Sequence, residues 1–277
     1  MKLYTTLCTA LCLLVFAACS PSKKEDKRII TVTIEPLRYF TEQIAGSKFK
    51  VETMVPLGSN PETYEPTAQQ MINLSHSDMY IKVGSIGFER TWMKKLEANA
   101  PHTILIDSSE GIIPIESCEG HADPHTWMSC RNAIIIANNI YKALAQIDKA
   151  DSMLYKANLE TLINKIRTTD AQVRANLTKD KATSFMIYHP ILTHFSDEYD
   201  LHQISVEDHG REPSAAQLKG IIEKAKKEKA RVMFVQKEFA NRNTGIVANS
   251  VGAEVIEINP LSYDWNEEMV KIATCLK

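Results

Sequence analysis

The chain has 277 residues, 44% of them hydrophobic and 24% charged. That is globular composition, too long for one ordinary domain and comfortable for two. A formal net charge of -2 gives no reason to expect nucleic acid as a partner, and 7% aromatic residues argue against broad stacking platforms for bases or sugars.

At the N-terminus, Lys2 supplies a short basic region. Leu3 to Phe16 is an apolar stretch of signal-peptide length, too short for a comfortable membrane span. Phe16-Ala17-Ala18-Cys19 follows. This resembles the lipobox of bacterial lipoproteins, which implies that residues 1–19 are a leader and that Cys19 is acylated; simple cleavage after the small residues is the alternative. The protein is then expected to be exported and lipid-anchored to a bacterial membrane. Residues 20–28 (S-P-S-K-K-E-D-K-R) read as a tether, and no other stretch reaches membrane-spanning length.

From Ile29, strands and helices alternate. Ile29–Ile34 reads as a buried strand, and Pro36 opens a helix over Leu37–Ala45 that Gly46 stops. Phe49–Val55 is a strand, Ala68–Leu74 a helix, Met79–Val83 a strand, Phe88–Asn99 a helix and Thr103–Ile106 a strand. Ile134, Ala137, Tyr141, Leu144 and Ile147 keep a helical stripe. A second helix, which Asp151 is placed to cap, carries Leu154, Leu162, Ile166, Val173 and Leu177. If continuous it spans ~40 Å at ~1.5 Å per residue, enough to bridge two domains. The alternation resumes with a strand at Ser184–Tyr188, a helix at Ser214–Lys229 after Pro213, a strand at Arg231–Val235, a helix at Thr244–Val251 and a strand at Glu254–Ile258. Such alternation predicts an α/β fold of two parallel-sheet lobes joined by a long linking helix. The expected divisions are an N-terminal lobe over 29–150, the linking helix over 151–177 and a C-terminal lobe over 178–277. No internal repeat is strong enough to assign.

Open α/β sheets bind ligands in the crevice outside the carboxyl ends of their strands. Three loops there or close by carry chemistry: P-L-G-S-N-P-E-T-Y-E-P-T from Pro56, H-A-D-P-H-T-W-M-S from His121, and Tyr188-His189-Pro190. A fourth, Asn259-Pro260-Leu261, also ends a strand. Facing lobes place Glu62 and His125 opposite His189 and Asn259. Carboxylate and imidazole suit Zn²⁺ and other first-row metals. No H-E-x-x-H spacing is present to make a local metalloprotease site.

These segments, in this order, resemble the cluster A-I (cluster 9) substrate-binding proteins of zinc and manganese ABC importers. I-I-T-V-T-I-E-P-L resembles the family's opening strand, and the Pro56 loop its P-x-G-x-x-P-H-x-Y-E-P-T motif. A-D-P-H-T-W-M-S resembles D-P-H-x-W-L-S, R-E-P-S-A-A-Q-L the E-P-S-x-x-x-L segment, and E-I-N-P-L the closing L-D-P-L. The resemblance implies metal ligation by His125 and His189. It puts Glu62 where the family has histidine, and Asn259 where it often has a carboxylate. It also implies capture of Zn²⁺ or Mn²⁺ as cargo, delivery to a membrane ABC permease, a monomer and no enzymatic activity. Oxygen in place of nitrogen at Glu62 makes the site harder and moves it toward manganese or ferrous iron. Alternatives are a metal-binding adhesin or metallochaperone and, more remotely, a zinc hydrolase, for which no second motif supplies a general base.

Cys118 and Cys130 bracket the His125 loop. In an oxidising compartment a disulfide between them would restrain it, and thiolate ligation of metal is the alternative; Cys275 would then be unpaired. Trp127 is expected to pack beside the site and Ser214 to start a helix. His76, His102, His194, His202 and His209 have no patterned context and are expected at the surface.

Overall fold

The computed structural model describes residues 28–116, 122–177, 183–207, 211–236 and 242–276. The leader with Cys19, the tether up to residue 27, Cys118, His121 and His209 lie outside the described residues.

The expected two-lobe α/β architecture is present. In the first lobe β1 (Arg28–Val32), β2 (Phe49–Thr53), β3 (Met79–Lys82) and β4 (Ile104–Asp107) form a parallel sheet in the order β2-β1-β3-β4. The helices between them are α1 (Glu35–Ala45), α2 (Ala68–Ser75) and α3 (Gly87–Asn99). Ile30, Val32, Met79 and Ile81 on the central strands are fully buried, as a sheet covered on both faces requires. Local signals set the helix ends. Pro36 sits in the first turn of α1, and Gly46, at φ 61°, ends it in a backbone conformation that costs glycine little. Thr67 and Gln70 close a capping box on α2.

The connector is α4 (Cys130–Ile147), a 3-10 turn (Lys149–Asp151) and α5 (Ser152–Leu177), a continuous helix of 26 residues. Asp151 belongs to the turn, where its carboxylate pairs with Lys48 at 2.5 Å. Leu154, expected on the apolar stripe of α5, is exposed. Counting back from Leu162 at helical spacing puts Leu159 and Tyr155 on the buried face instead, and both are fully buried.

The second lobe holds β5 (Ser184–Ile187), α6 (Thr193–Tyr199), β6 (His202–Ser205), α7 (Ala215–Lys227), β7 (Val232–Gln236), α8 (Arg242–Val251), β8 (Glu254–Ile258) and α9 (Trp265–Thr274). Its parallel sheet runs β6-β5-β7-β8, the strand order of the first sheet repeated. Ser214 caps α7 through a capping box with Gln217.

The hydrophobic core does not respect the lobe boundary. One cluster runs from Ile30, Leu37 and Phe40 through Tyr155, Leu162 and Ile166 to Phe185, Phe234, Trp265 and Met269. Phe40 and Trp265 meet edge to face at 5.2 Å, and the Tyr263 hydroxyl donates to Glu42 at 2.7 Å. The C-terminal helix α9 therefore packs back on α5 and on the first lobe. A wide hinge between lobes would bring this apolar surface into water, so the cleft is formed by largely fixed walls. A smaller cluster, including Met186, Ile204, Met233 and Val247, lies under α7 and α8 on the second sheet's other face.

Candidate metal centre

His189 lies two residues beyond β5, where the strand order reverses between β5 and β7. Its Nδ1 is 2.6 Å from Oε2 of Glu207. His125 sits in the loop before α4, with Nδ1 3.0 Å from Oδ1 of Asp123, the oxygen that also accepts the His125 backbone N–H at 2.9 Å. An ionised carboxylate only accepts, so each imidazole carries its proton on Nδ1 and offers Nε2 to a ligand. The two rings lie nearly perpendicular with centroids 5.2 Å apart, and both residues are buried. Trp127, with no exposed surface, packs its ring edge to face against His125 at 5.4 Å, as expected.

Glu62 reaches the same point from the loop after β2. Asn60 fixes the start of its turn by accepting the Glu62 N–H at 2.8 Å. Its carboxylate oxygens are unequal. Oε2 accepts from the Gly87 N–H at 3.0 Å, at the positive N-terminal end of α3, and from Arg90 Nη2 at 3.3 Å. Oε1 is buried with no hydrogen-bond partner among the described residues. One ligand atom each from Glu62, His125 and His189 lie within 4.8 Å of one another. A helix-capping role would account for Oε2 but would leave Oε1 orphaned, an expensive state for a buried carboxylate oxygen. A cation between the three groups satisfies it, and two imidazole nitrogens with one carboxylate oxygen are a donor set suited to zinc.

The electrostatics run the same way. Burial opposes a charge on His125, but the neighbouring Asp123 carboxylate outweighs it by charge and hydrogen bond, and the imidazole lies above its ordinary range. Burial also opposes the charge on Asp123. His125, with further hydrogen bonds from Thr193 and the backbone, overcomes this and draws Asp123 down to about 2.

The His125 loop is assigned to the first lobe by chain order, yet its side chains are fastened largely to the second. Trp127 Nε1 donates to the Pro260 carbonyl at 2.8 Å, and Trp265 Nε1 donates to the Trp127 carbonyl at 2.8 Å. Ser129, the N-cap of α4, donates to Glu198 Oε2 at 2.6 Å, and Glu198 Oε1 accepts the Arg131 N–H at 3.0 Å. His194 is buried, contrary to its expected surface position, because α6 turns it into this interface. Its Nε2 donates to the Asp123 carbonyl and its Nδ1 accepts from Asn132, both at 3.1 Å. Burial holds it below the ordinary imidazole range. The ties back to the first lobe are fewer: Thr126 with Ser109 at 2.8 Å, and the Asp123 N–H to the Ile115 carbonyl at 2.8 Å.

The structure thus brings Glu62, His125 and His189 together. Asn259 stands directly after β8, its backbone N–H donating to Glu268 Oε1 at 2.7 Å beside the Pro260 carbonyl that holds Trp127. Glu207, Gly87, Arg90, His194 and Glu198 were not picked out from sequence. Asp123 was legible only as part of its motif. His202 is half exposed and pairs with Glu228. Cys130 is a free cysteine buried at the first position of α4 beside Tyr199, and burial pushes its thiol up to about 12. Its expected partner Cys118 lies outside the described residues.

A family model described as zinc-uptake complex component A, periplasmic, matches residues 30–272. The chain is 26% identical over 287 residues to the high-affinity zinc uptake system protein ZnuA of Bacillus subtilis, an alignment that spans 95% of this chain and 89% of that one. It is 28% identical over 262 residues to the manganese ABC transporter substrate-binding lipoprotein PsaA of Streptococcus mitis, spanning 87% and 84%. It is also 26% identical over 280 residues to the zinc-binding lipoprotein AdcA of Streptococcus pneumoniae, spanning 94% of this chain but 56% of that protein. Among solved structures, a crystal structure of ZnuA superposes with a TM-score of 0.86 at 35% identity, covering 90% of this chain and 97% of the other.

Proposed function

The chain belongs to the family of periplasmic zinc-uptake components, and from that membership and the site together we propose that it captures a divalent transition metal, zinc first, and hands it to an ABC importer. The observation that carries the proposal is the orphaned Glu62 Oε1 set against two imidazoles whose Nδ1 atoms are already engaged by carboxylates. Glu62, His125 and His189 are the proposed ligands, with water or Asn259 in the fourth place. The cargo leaves unchanged, so no nucleophile or general base is required.

Asp123 and Glu207 fix the tautomer of each ligating imidazole, and Asp123 also raises the basicity of His125. Binding requires Nε2 deprotonated, so capture weakens in acid. The fixed cleft walls favour local movement of the Glu62 loop over wide lobe closure. Delivery would place the loaded protein, a monomer held by a lipid on Cys19, against a membrane permease. Relatives named as lipoproteins support that anchor, and no helix among the described residues is long and apolar enough to cross a membrane. Manganese is the second reading, favoured by the oxygen donor of Glu62 and by the manganese named for the Streptococcus mitis relative.

The test is a competition titration of the metal-stripped protein with zinc and manganese, with Glu62→Ala and His189→Ala alongside. One tightly held equivalent of zinc, weakened in both variants, is the expected result. A preference for manganese would keep the role and change the cargo. Binding of neither metal would overturn the proposal.

A further inference from the structure

Within the capture reading, we infer that Arg90 is a positioning residue that limits Glu62 to one coordinating oxygen and so biases the site toward a four-coordinate cargo over a six-coordinate one. The geometry is asymmetric at a single carboxylate. Oε2 is engaged by the Gly87 N–H and Arg90 Nη2, while Oε1 is buried without a partner among the described residues. For both oxygens to turn to a metal, Oε2 would have to give up both donors. Arg90 is itself clamped. Its Nη1 donates to the Ser85 carbonyl at 2.6 Å, from the first turn of α3. The guanidinium therefore bridges a fixed backbone carbonyl and the carboxylate, and the fork shape suits it to do so.

The number of donor atoms is what separates the candidate cargoes. Zinc is satisfied by three protein donors and one water in a tetrahedron. Manganese, with carboxylate, carbonyl and water as its suited ligands, fills an octahedral shell. With Oε2 held away, the three residues present one oxygen and two nitrogens, which completes a zinc site with one water but leaves half an octahedral shell to solvent. Releasing Oε2 would add a fourth protein donor and favour manganese. This chain has an oxygen donor at residue 62 where the family it resembles has histidine, which on donor chemistry alone leans toward manganese; Arg90 offsets that lean. Its side chain is 56% exposed, which makes the ion pair modest and leaves the backbone donor in place when the arginine is removed.

The experiment uses the purified chain, Arg90→Gln and Arg90→Lys. Zinc and manganese affinities are measured by competition, and Co²⁺ serves as a spectroscopic stand-in for zinc. In the unaltered protein Co²⁺ should give the intense visible bands of a four-coordinate ion. In Arg90→Gln those bands should weaken, and the preference for zinc over manganese should narrow by about threefold, as expected for loss of one partly exposed ion pair. Arg90→Lys, which keeps the charge but not the fork, should restore part of both. Unchanged bands and an unchanged preference in Arg90→Gln would overturn the inference while leaving capture intact. An unaltered protein that binds neither zinc nor Co²⁺ would overturn capture and this inference together.

Discussion

On the histidine side of the cleft, the loop from Asp123 to Ser129 is tied by Trp127, Asp123 and Ser129 to Pro260, His194, Thr193 and Glu198 of the second lobe. The same lobe carries His189. On the glutamate side, Glu62 rests on the N-terminus of α3 and on one half-exposed arginine. Two ligands are thus fastened to one wall of the cleft although they are 64 positions apart in the chain, and the third approaches from the facing loop. A site built this way has a preformed half and an adjustable half. Removing a ligand from the preformed half should cost more. His125→Ala is expected to weaken zinc binding by more than about 100-fold, since losing even the partners of ligating imidazoles costs ~10–100-fold. Glu62→Ala should cost nearer tenfold, because water can replace one oxygen on a histidine pair that stays in place. Equal losses, measured by zinc competition, would break the comparison.

The preformed half also has an acid signature independent of metal. Asp123 is held at about 2, below its ordinary 3.8, through His125 and Thr193. A carboxyl lowered on folding contributes stability above its unfolded value and loses it as pH falls through the folded one. The Asp123 contribution is therefore complete above about pH 5 and gone near pH 1, and its full size is about 2 kcal/mol. Chemical unfolding of the metal-free protein and of Asp123→Asn should differ by about that much at pH 5, with the gap closing progressively as pH falls toward and below about 2. A gap that does not change with pH would mean that Asp123 only packs and does not hold His125 by charge.

Glu198 tests the fastening itself. Its buried carboxylate satisfies Ser129 and the Arg131 N–H at the start of α4 from a different lobe. Glu198→Ala should destabilise the fold by about 1–2 kcal/mol, the usual cost of leaving such donors unmatched. Because the Trp127 and His194 ties remain, zinc affinity should fall less than stability. A loss of affinity as large as that of His125→Ala would make Glu198 the principal fastener of the loop.

How much of this was readable in the residues depends on range. Buried parallel strands announce themselves as apolar runs, and β8 was placed at its observed bounds, with β1 and β3 within two residues at either end. The elements α6 and β6 escape this reading: seven residues carry too little helical periodicity, and His-Gln-Ile-Ser makes no apolar run. The helix α9 lies outside the predicted elements although its residues carry the signal. Trp265, Met269, Ile272 and Ala273 keep a helical stripe, and Glu267 and Glu268 sit in the first turn. The ligand trio was legible through motifs, each a local string. What holds the trio was not, because Arg90 meets Glu62 across 28 positions and Glu198 meets Ser129 across 69. A single sequence records neither contact. His194 shows the same limit: nothing nearby distinguishes a buried bridge from a surface histidine.

The adjustable half is most directly probed at Gly87. Besides the movable Glu62 Oε2, which lies nearest, a methyl group on its Cα would meet the Glu62 carbonyl oxygen at 2.7 Å and the Glu62 Cα at 2.8 Å. Both are backbone atoms that cannot swing aside as a side-chain end would, so the Glu62 loop must retreat as a whole. Alanine is otherwise welcome at the start of α3, since it has the highest helix propensity and keeps the backbone N–H. Gly87→Ala should therefore fold, lower zinc affinity by about fivefold through the displaced oxygen, and leave the imidazole NMR signals of the metal-free protein where they are. Movement of those signals with the loss of affinity would show that the glutamate and histidine walls shift as one body. The division into a preformed and an adjustable half would then fail, along with any expectation that the cargo is admitted or released on the Glu62 side.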